Sequence, residues 1–565
     1  MKDSIRKLAL QNAIKFNGKA NPGAVIGHML ATQPELKPKI KELAKDVNEI
    51  IREINKLPLE KQRQELEATA PELLKEKPAE KTGLKELPNA EQGKVITRMA
   101  PEPSKYNHIG HALTFILNYM YAKKYDGKCI LRFEDANPEK VTKEFVDEMK
   151  KDIIEYLGIK PDKTVFVSDN MELYYKYAEE LISKEKAYAC FCKQESMRDL
   201  RHKGMECKCR NKDAETNLKE WKEMLKGKYK EGQCSLRIKG DMGSENHVMR
   251  DSVIFRIVTK PHYSKKTKYK IWPMYDFYNS IEDSTLGITH ILRSNEFMLR
   301  GELQNYIKEL LSLKKQTVVE YGRFNVIGAV TQGREIRELI ESKKYLGWDD
   351  PRLVTLRALK RRGITKETFY ELAKEVGISP SPTNIDFQLI AKINRRLLDK
   401  EANRYFFIQK LEKIKIKDAP EKEVLIELHP DFKGRGQRKL KTNDEFYIED
   451  KLEKNKVYRL MHLFNFKNNK FISEDMDESL NAKMIHWLPA GKELVKTEIV
   501  MPDTKIIKGL AEPGIKDVKA NDVVQFERFG FCRLDRIETF EERERFRKSK
   551  AFSKENKYIF WFTHK

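Results

Sequence analysis

Two histidines three residues apart, His108 and His111, flank an Ile-Gly pair in PEPSKYNHIGHAL, residues 101–113. Residues at that spacing share one face of a helix. Imidazoles held there can donate hydrogen bonds to phosphate oxygens whose charge builds up during a displacement. The next run, HALTFILNYMYAKKY (111–125), is a helix candidate, which puts the pair at its start. A helix N-terminus adds unpaired N–H groups and the positive end of a dipole, both suited to phosphate. Gly110 leaves room for a nucleotide to approach the backbone. A helix start with two surface histidines has the same bare pattern, so the neighbours must decide.

The elements around the pair fit such a site. KVITRM (94–99) and GKCILRFED (127–135) are short β-prone runs on either side of the helix candidate. Asn137-Pro138 offers an N-cap followed by proline at the first helical position. Val141, Phe145, Met149, Ile153 and Leu157 then recur every four residues up to Gly158, and TVFVS follows as another strand. Strand, helix, strand, helix, strand predicts a parallel α/β unit. Residues 185–245 break that texture with cysteines and charge, and SLRIKG, VIFRIV and KYKIWPMYDFYNSI return to strand-like runs. Residues 301–400 read as mostly helical, and short β-prone runs beyond 410 predict an all-β region. In PELKPKIKELAKDVNEIIREINKL, Leu36, Ile40, Leu43, Val47, Ile50, Ile51, Ile54 and Leu57 form one helical stripe. KEKPAEKTGLKELPNAEQG, which follows, reads as a linker.

The chain has 565 residues and a net charge of +23, from 110 basic and 87 acidic residues. Several domains are expected, and the basic excess favours a polyanion, nucleic acid before membrane. No run approaches a membrane span, the first residues lack the apolar core of a signal peptide, and seven cysteines in this length do not make a disulfide scaffold. The expectation is a reduced, cytoplasmic protein.

RMAPEPSKYNHIGHA (98–112) resembles the HIGH signature of class I aminoacyl-tRNA synthetases in its glutamyl/glutaminyl form. LRFEDANPEK, WPMYDF, GITHILRSNEF, GWDDPRLVTLRALKRRGI and NRRLLDKEANRYFF match further segments of that family in collinear order. The N-terminal ALQNAIKFNGKANPGAVIG is similar to the extension of archaeal glutamyl-tRNA synthetases. The resemblance implies a multidomain α/β + α + β fold: a helical extension (1–90), a Rossmann-like class I catalytic domain (91–300) with an acceptor-stem insertion near 185–245, a helical connector (301–400), and a β-barrel anticodon-binding region (401–565). It also implies that ATP, accompanied by Mg²⁺, and glutamate form glutamyl-adenylate. Glutamate then passes to the 3′ end of tRNA(Glu), with tRNA(Gln) a second candidate, on a monomeric enzyme.

Residue by residue, the resemblance assigns Glu102, His108, Gly110 and His111 to ATP, Arg98 and Glu134 to the amino-acid substrate, with Glu134 gripping the α-ammonium, and Tyr275 to the pocket wall. A zwitterion needs one anion and one cation in its site. Arg293 matches the arginine that glutamyl enzymes use for the side-chain carboxylate, where glutaminyl relatives carry an uncharged residue. A guanidinium facing a neutral amide would lack its counter-charge. A hydrogen bond to a charged group contributes about 1.5–3 kcal/mol, and leaving a polar group unpaired rejects the wrong substrate by about 10⁴-fold. The expected activity is therefore glutamyl rather than glutaminyl.

The chain departs from the family at its second signature, KMSKS. NVIGAVTQGREIREL (325–339) puts Gly333 where the second lysine belongs, with Arg334 beside it. The expectation is that Arg334 supplies the missing charge to ATP and that Gly333 gives the loop freedom to bring it in. A weakly active or non-catalytic tRNA-binding relative is the alternative. The glycines of 328–333 have P-loop spacing, but Arg334-Glu335 replaces the required Lys-Ser/Thr, so a P-loop is rejected. Cys190, Cys192, Cys207 and Cys209 offer four thiolates for a structural zinc, bacterial members of the family carrying a CxC-based site in the comparable insertion; reduced structural thiols are the other reading. Arg435, Arg438 and Lys439 in KGRGQRKLK (433–441), and LRALKRRGI (356–364), are candidates for tRNA phosphates.

Overall fold

A computed structural model describes residues 2–16, 18–32, 40–73, 83–539 and 556–565. It divides into two compact units, Met1–Gly83 and Leu84–Lys565.

The first unit is helical: α1 (Lys2–Lys15), α2 (Pro22–Thr32), α3 (Ile40–Ile54) and α4 (Leu59–Thr69). Leu43, Val47, Ile50, Ile51 and Ile54 of α3 are buried against Ile5, Ala9, Leu10 and Ala13 of α1. Burying such a stripe holds a small helical unit together. Ile40 is exposed, and Leu36 lies outside the described residues, as do residues 75–82 of the expected linker. The buried Gln62 amide donates to the carbonyls of Gly18, Ile54 and Leu57, satisfying backbone groups where the helices end.

The second unit opens with β1 (Ile96–Met99), α5 (Ile109–Lys124), β2 (Lys128–Phe133), α6 (Lys143–Lys150), a π-helical turn (Lys151–Tyr156) and β3 (Lys163–Phe166). The strands pair in parallel in the order β1-β2-β3, as the alternation predicts. α6 starts later than expected. Its N-cap is Thr142, whose hydroxyl accepts the Phe145 N–H at 3.2 Å, while Asn137-Pro138 lie in the preceding turn. The Asn137 side-chain oxygen accepts the Glu139 N–H at 3.3 Å within that turn and an Arg256 N–H at 2.8 Å. The helical run ends at Gly158, which adopts φ +66°.

After α7 (Met171–Ser183) comes an inserted segment: β4 (Ala187–Cys190), α8 (Gln194–Lys203), α9 (Ala214–Leu225), β5 (Ser235–Ile238), β6 (Val253–Ile257) and β7 (Ile271–Pro273). Its four strands form one antiparallel sheet, β4-β5-β6-β7, which reaches well past residue 245. YDFYNSI, with its strand-like texture, is instead the start of α10 (Tyr275–Thr285). Every residue from Asp276 to Asp283 is buried, so α10 has no apolar stripe from which its period could be read. β8 (His290–Ser294), α11 (Met298–Leu310) and β9 (Thr317–Tyr321) follow, with β8 and β9 parallel. Thr289 donates its N–H to the Ile96 carbonyl at 2.9 Å, which sets β8 beside β1.

Residues 324–398 carry β10 (Phe324–Val326), α12 (Gly333–Glu341), α13 (Leu356–Arg361), α14 (Lys366–Val376), β11 (Thr383–Ile385) and α15 (Phe387–Leu398). Leu356, Leu359, Phe369, Leu372, Ile390 and Ile393 share one core with Ile109, Leu113, Ile116 and Leu117 of α5. The region is thus mostly helical, as expected, and packs onto the helix that carries the histidines.

Beyond residue 402 the described residues form strands and short 3₁₀ turns. The largest sheet runs Arg404–Tyr405, Val523–Phe526, Gly530–Glu538, Lys557–His564, Val495–Val500, Ile506–Ala511, Phe407–Ile408. Its first and last members are halves of one extended stretch, so the sheet returns to where it began.

Candidate active site

His108 is the N-cap of α5, and the capping is done by the imidazoles themselves. His108 Nδ1 accepts the Gly110 N–H at 3.1 Å, and His111 Nδ1 accepts the His108 N–H at 3.1 Å. The rings lie with centroids 3.9 Å apart. With both Nδ1 atoms accepting, the ring protons sit on Nε2. Burial pushes His108 down to about 3, and the nearby cations Lys105 and Arg323 push the same way. Burial, His108, Lys105 and Arg323 hold His111 well below its ordinary value. The pair is therefore neutral and presents two N–H donors, a form suited to charge that develops only in a transition state.

The structure corrects two expectations here. The helix-terminal N–H groups are not free for phosphate: Ile109 donates to the Val354 carbonyl at 3.1 Å, Gly110 to His108 Nδ1, and His111 to the His108 carbonyl at 2.9 Å. The space beside Gly110 is also taken. A Cβ there would meet His108 Cε1 at 2.9 Å, so the glycine makes room for the folded-over ring rather than for a nucleotide. Glu102 is exposed and accepts a hydrogen bond from the Ser104 hydroxyl at 3.2 Å.

The residues assigned to the amino acid do converge. Arg98 on β1 and Glu134 just after β2 are both buried, and two further charges hold them. Asp283 of α10, fully buried, accepts Arg98 Nε at 3.1 Å and Arg132 Nη1 at 2.7 Å. Arg132 Nη2 and Asn279 Nδ2 both donate to Glu134 Oε1 at 3.0 Å. Two cations and two anions thus balance. Burial works against the Asp283 charge, yet Arg132 and Arg98 hold its carboxyl below the usual range. Burial pushes the Glu134 carboxyl up despite the same two arginines. The arrangement leaves Arg98 Nη1 and Nη2 and Glu134 Oε2 without a protein hydrogen bond among the described residues. Tyr275 joins this group: burial and Glu134 push its hydroxyl up, while Arg98 and Arg293 pull it down.

Arg293 on β8 is buried and held. Its Nη1 donates to Gln304 at 2.8 Å, and Nε and Nη2 donate to Glu320 at 3.2 and 3.1 Å. Glu320 already supplies a counter-charge, so a neutral ligand would not strand this guanidinium, contrary to the sequence argument. One N–H remains on each Nη atom.

The second signature is placed differently from expectation. Arg334 lies on the first turn of α12 with its side chain 90% exposed, paired with Glu338 of the same helix at 3.0 Å. Gly333 is the residue that meets the histidine loop: a Cβ on it would lie 3.1 Å from Lys105 Cδ.

The four cysteines of the insertion do come together, each Sγ within 4.8 Å of the others. Cys190–Cys207 and Cys192–Cys209 are each 3.9 Å apart. Arg237 Nη1 stands 3.4 Å from Cys207 Sγ, a buried cation that favours thiolate. The donor set and its closeness fit a tetrahedral zinc. Cys129, Cys234 and Cys532 are buried and unpaired.

Among the basic residues, Arg438 needs correction. It is 4% exposed and pairs with Glu527 at 2.6 Å and Glu512 at 3.5 Å, so it holds the β region together rather than meeting phosphate. Arg435 donates to the Lys400 and Glu401 carbonyls. Lys439 is exposed beside Glu423. In LRALKRRGI, Arg361 is bound to Asp349 and Asp535, and Arg362 is buried.

Sequence reasoning missed the residues that hold the site: Arg132, Asn279, Asp283, Lys105 and Asn107. Asn107 donates to the buried Asp152 on the π-helical turn at 3.1 Å, and its carbonyl accepts the Leu356 N–H at 2.9 Å. Arg132 carried a signal, as a charge inside the β-prone run GKCILRFED; Asp283 lay outside every run read from the sequence. Lys105 and Asn107 carried only their nearness to His108.

Residues 94–400 match the catalytic domain of the tRNA synthetases class I (E and Q), and residues 402–485 and 484–535 match two anti-codon binding domains of that group. A glutamate–tRNA ligase of Pyrococcus furiosus is 43% identical over 94% of this chain and 97% of its own length. One of Methanocaldococcus jannaschii is 40% identical over 95% and 98%, and one of Methanococcus maripaludis 37% identical over the whole of both chains. With more than half its length in the catalytic model and relatives matched end to end, the chain belongs to the class I tRNA synthetases of the E and Q group.

Proposed function

We propose that the chain is a glutamate–tRNA ligase, which activates glutamate with ATP and joins it to tRNA(Glu). The observation that carries the reading is the charge-balanced quartet of Arg98, Arg132, Glu134 and Asp283, with an open guanidinium edge and an open carboxylate oxygen beside Tyr275. Its chemistry matches a zwitterion, in a chain whose full-length relatives carry that activity in their names.

In this reading Glu134 Oε2 takes the α-ammonium, and Arg98 orients the α-carboxylate. The remaining N–H groups of Arg293 meet the side-chain carboxylate. A carboxylate oxygen attacks the α-phosphorus of ATP. The bond to the β-phosphate breaks, and its electron pair leaves with pyrophosphate. The Nε2–H groups of His108 and His111 face the phosphates. A ribose hydroxyl at the 3′ end of the tRNA then attacks the carbonyl, and AMP departs with the hydroxyl proton. Positioning and charge stabilisation carry both steps. Mg²⁺ enters with ATP and neutralises part of the phosphate charge. The four cysteines hold zinc as a structural tie of the insertion. Residues 401–565 form the β-barrel region that meets the anticodon.

The test is aminoacylation of purified tRNA(Glu) and tRNA(Gln) with glutamate and with glutamine. Glutamate joined to tRNA(Glu) in strong preference to glutamine is the expected result. Better use of glutamine would make the chain a glutaminyl enzyme, and tRNA binding without glutamate-dependent exchange of pyrophosphate into ATP would make it a non-catalytic relative.

A further inference from the structure

The position where the family places a lysine is a glycine here, yet the space beside that glycine is filled by a lysine from another loop. A Cβ on Gly333 would meet Lys105 Cδ at 3.1 Å, Cβ at 3.5 Å and Cγ at 3.9 Å. Lys105 lies three residues before His108, between β1 and α5. Its ammonium has no ion pair or hydrogen bond among the described residues, while the neighbouring Arg323 is paired with Glu296. Burial lowers its affinity for the proton, and the carboxylates Glu102 and Glu296, opposed by Arg323, only partly offset this. Lys105 is also the first cation acting on the His108 imidazole and acts on His111 as well, so its charge is felt where both Nε2–H donors stand.

We propose that Lys105 is a catalytic residue of the activation step, supplying to the ATP phosphates, from the loop before α5, the charge that relatives supply from the position of Gly333. The assignment rests on reading the chain as a glutamate–tRNA ligase. As the carboxylate oxygen bonds to the α-phosphorus and the bond to the β-phosphate breaks, negative charge grows on the departing pyrophosphate. The Lys105 ammonium donates a hydrogen bond to it, and no proton is transferred. Arg334 is a poor substitute, being 90% exposed and paired with Glu338.

The two positions are neighbours in space. A Cβ at residue 333 would press on Lys105 Cδ at 3.1 Å, and the lysine side chain would have to shift by a few tenths of an ångström to admit it. With Lys105 cut to alanine its Cβ stays at 3.5 Å, an ordinary van der Waals contact, so the Cβ of Gly333→Lys meets no closer neighbour in that background.

The experiment is glutamate-dependent ATP–pyrophosphate exchange with tRNA present. Lys105→Ala should lower kcat by about 10²- to 10³-fold, the usual loss for one donor to a developing charge. The KM for glutamate and the affinity for tRNA should stay near parental, and single-turnover transfer from preformed glutamyl-adenylate should keep its rate. Lys105→Arg should retain most of the activity. The double variant Lys105→Ala, Gly333→Lys should recover at least tenfold over Lys105→Ala. A Lys105→Ala enzyme that exchanges at the parental rate overturns the proposal while leaving the glutamyl reading intact, as does a double variant that binds tRNA but recovers nothing. A parental chain with no glutamate-dependent exchange overturns the functional reading, and this assignment with it.

Discussion

Replacing Asp283 with asparagine tests whether the amino-acid pocket is built as a balanced set of charges. Asp283 is fully buried and receives N–H groups from Arg98 at 3.1 Å and Arg132 at 2.7 Å. Asparagine keeps the shape and one acceptor oxygen but leaves two buried guanidinium groups sharing Glu134 as the remaining anion of the quartet. Removing one partner of a buried ion pair costs about 3–5 kcal/mol, because the other charge is left uncompensated. Asp283→Asn should therefore lower the thermal midpoint by several degrees. It should also raise the KM for glutamate at least tenfold, since Glu134 is drawn toward the arginines and away from the ligand ammonium, while the KM for ATP changes little. Adding Arg132→Met restores a sum of zero, one cation against one anion, and should return part of the stability that Asp283→Asn removes. Differential scanning fluorimetry and pyrophosphate exchange across a glutamate series measure both effects. A single variant that melts at the parental temperature and keeps its KM would refute the charge-balance argument. A double variant less stable than Asp283→Asn alone would do the same.

Four further outcomes follow from the geometry. Arg293→Gln should lower kcat/KM for glutamate by about 10- to 100-fold, as expected for a lost hydrogen bond to a charged group, with a smaller change for glutamine; equal losses for both would remove Arg293 from selectivity. Arg438→Ala should destabilise the β region by about 3–5 kcal/mol by stranding Glu512 and Glu527, and leave the salt dependence of tRNA binding unchanged, which filter binding at several ionic strengths checks. The His108 imidazole is depressed to about 3 when folded against 6.5 ordinarily, so the unfolded chain binds the extra proton between these values. The stability that His108 contributes is then present above pH 6.5 and lost as the pH falls toward 3; His108→Asn should flatten that part of a pH–melting profile, and an NMR titration of His108 with a midpoint near 6.5 would contradict it. Cys192→Ser should reduce the zinc content of purified protein, read by mass spectrometry, and lower the melting temperature; equal metal content in variant and parent would leave the cluster as plain thiols.

The sequence made the site more legible than the scaffold that holds it. His108, His111, Arg98, Glu134, Tyr275 and Arg293 were picked out by the resemblance of their motifs to a family, not by residue type alone, and the parallel strands around them alternate with helices in a readable period. Asp283 and Arg132 were harder to read, because their roles depend on meeting across 151 residues of chain. α10 was mistaken for strand because it is buried on every side and shows no stripe. Arg438 looked like part of a basic surface run, but its strand alternates, and it falls on the buried face with Leu440. The exchange between Lys105 and Gly333 depends on two loops touching, which neither loop encodes alone.

Arg361 closes a chain of contacts worth following end to end. The Val354 carbonyl and the Leu356 N–H are bonded to the histidine loop, at Ile109 and Asn107. α13 is six residues long, and at its far end Arg361 grips Asp349 and Asp535 while lying 4.1 Å over the Trp561 ring. Asp535 and Trp561 belong to neighbouring strands of the large returning sheet. The histidine loop and that sheet are therefore joined by one short helix with few residues between its fastenings. A push on either strand must be taken up by sliding α13 or by breaking a clasp, so the histidine loop and the β region beyond residue 402 are coupled through this one helix.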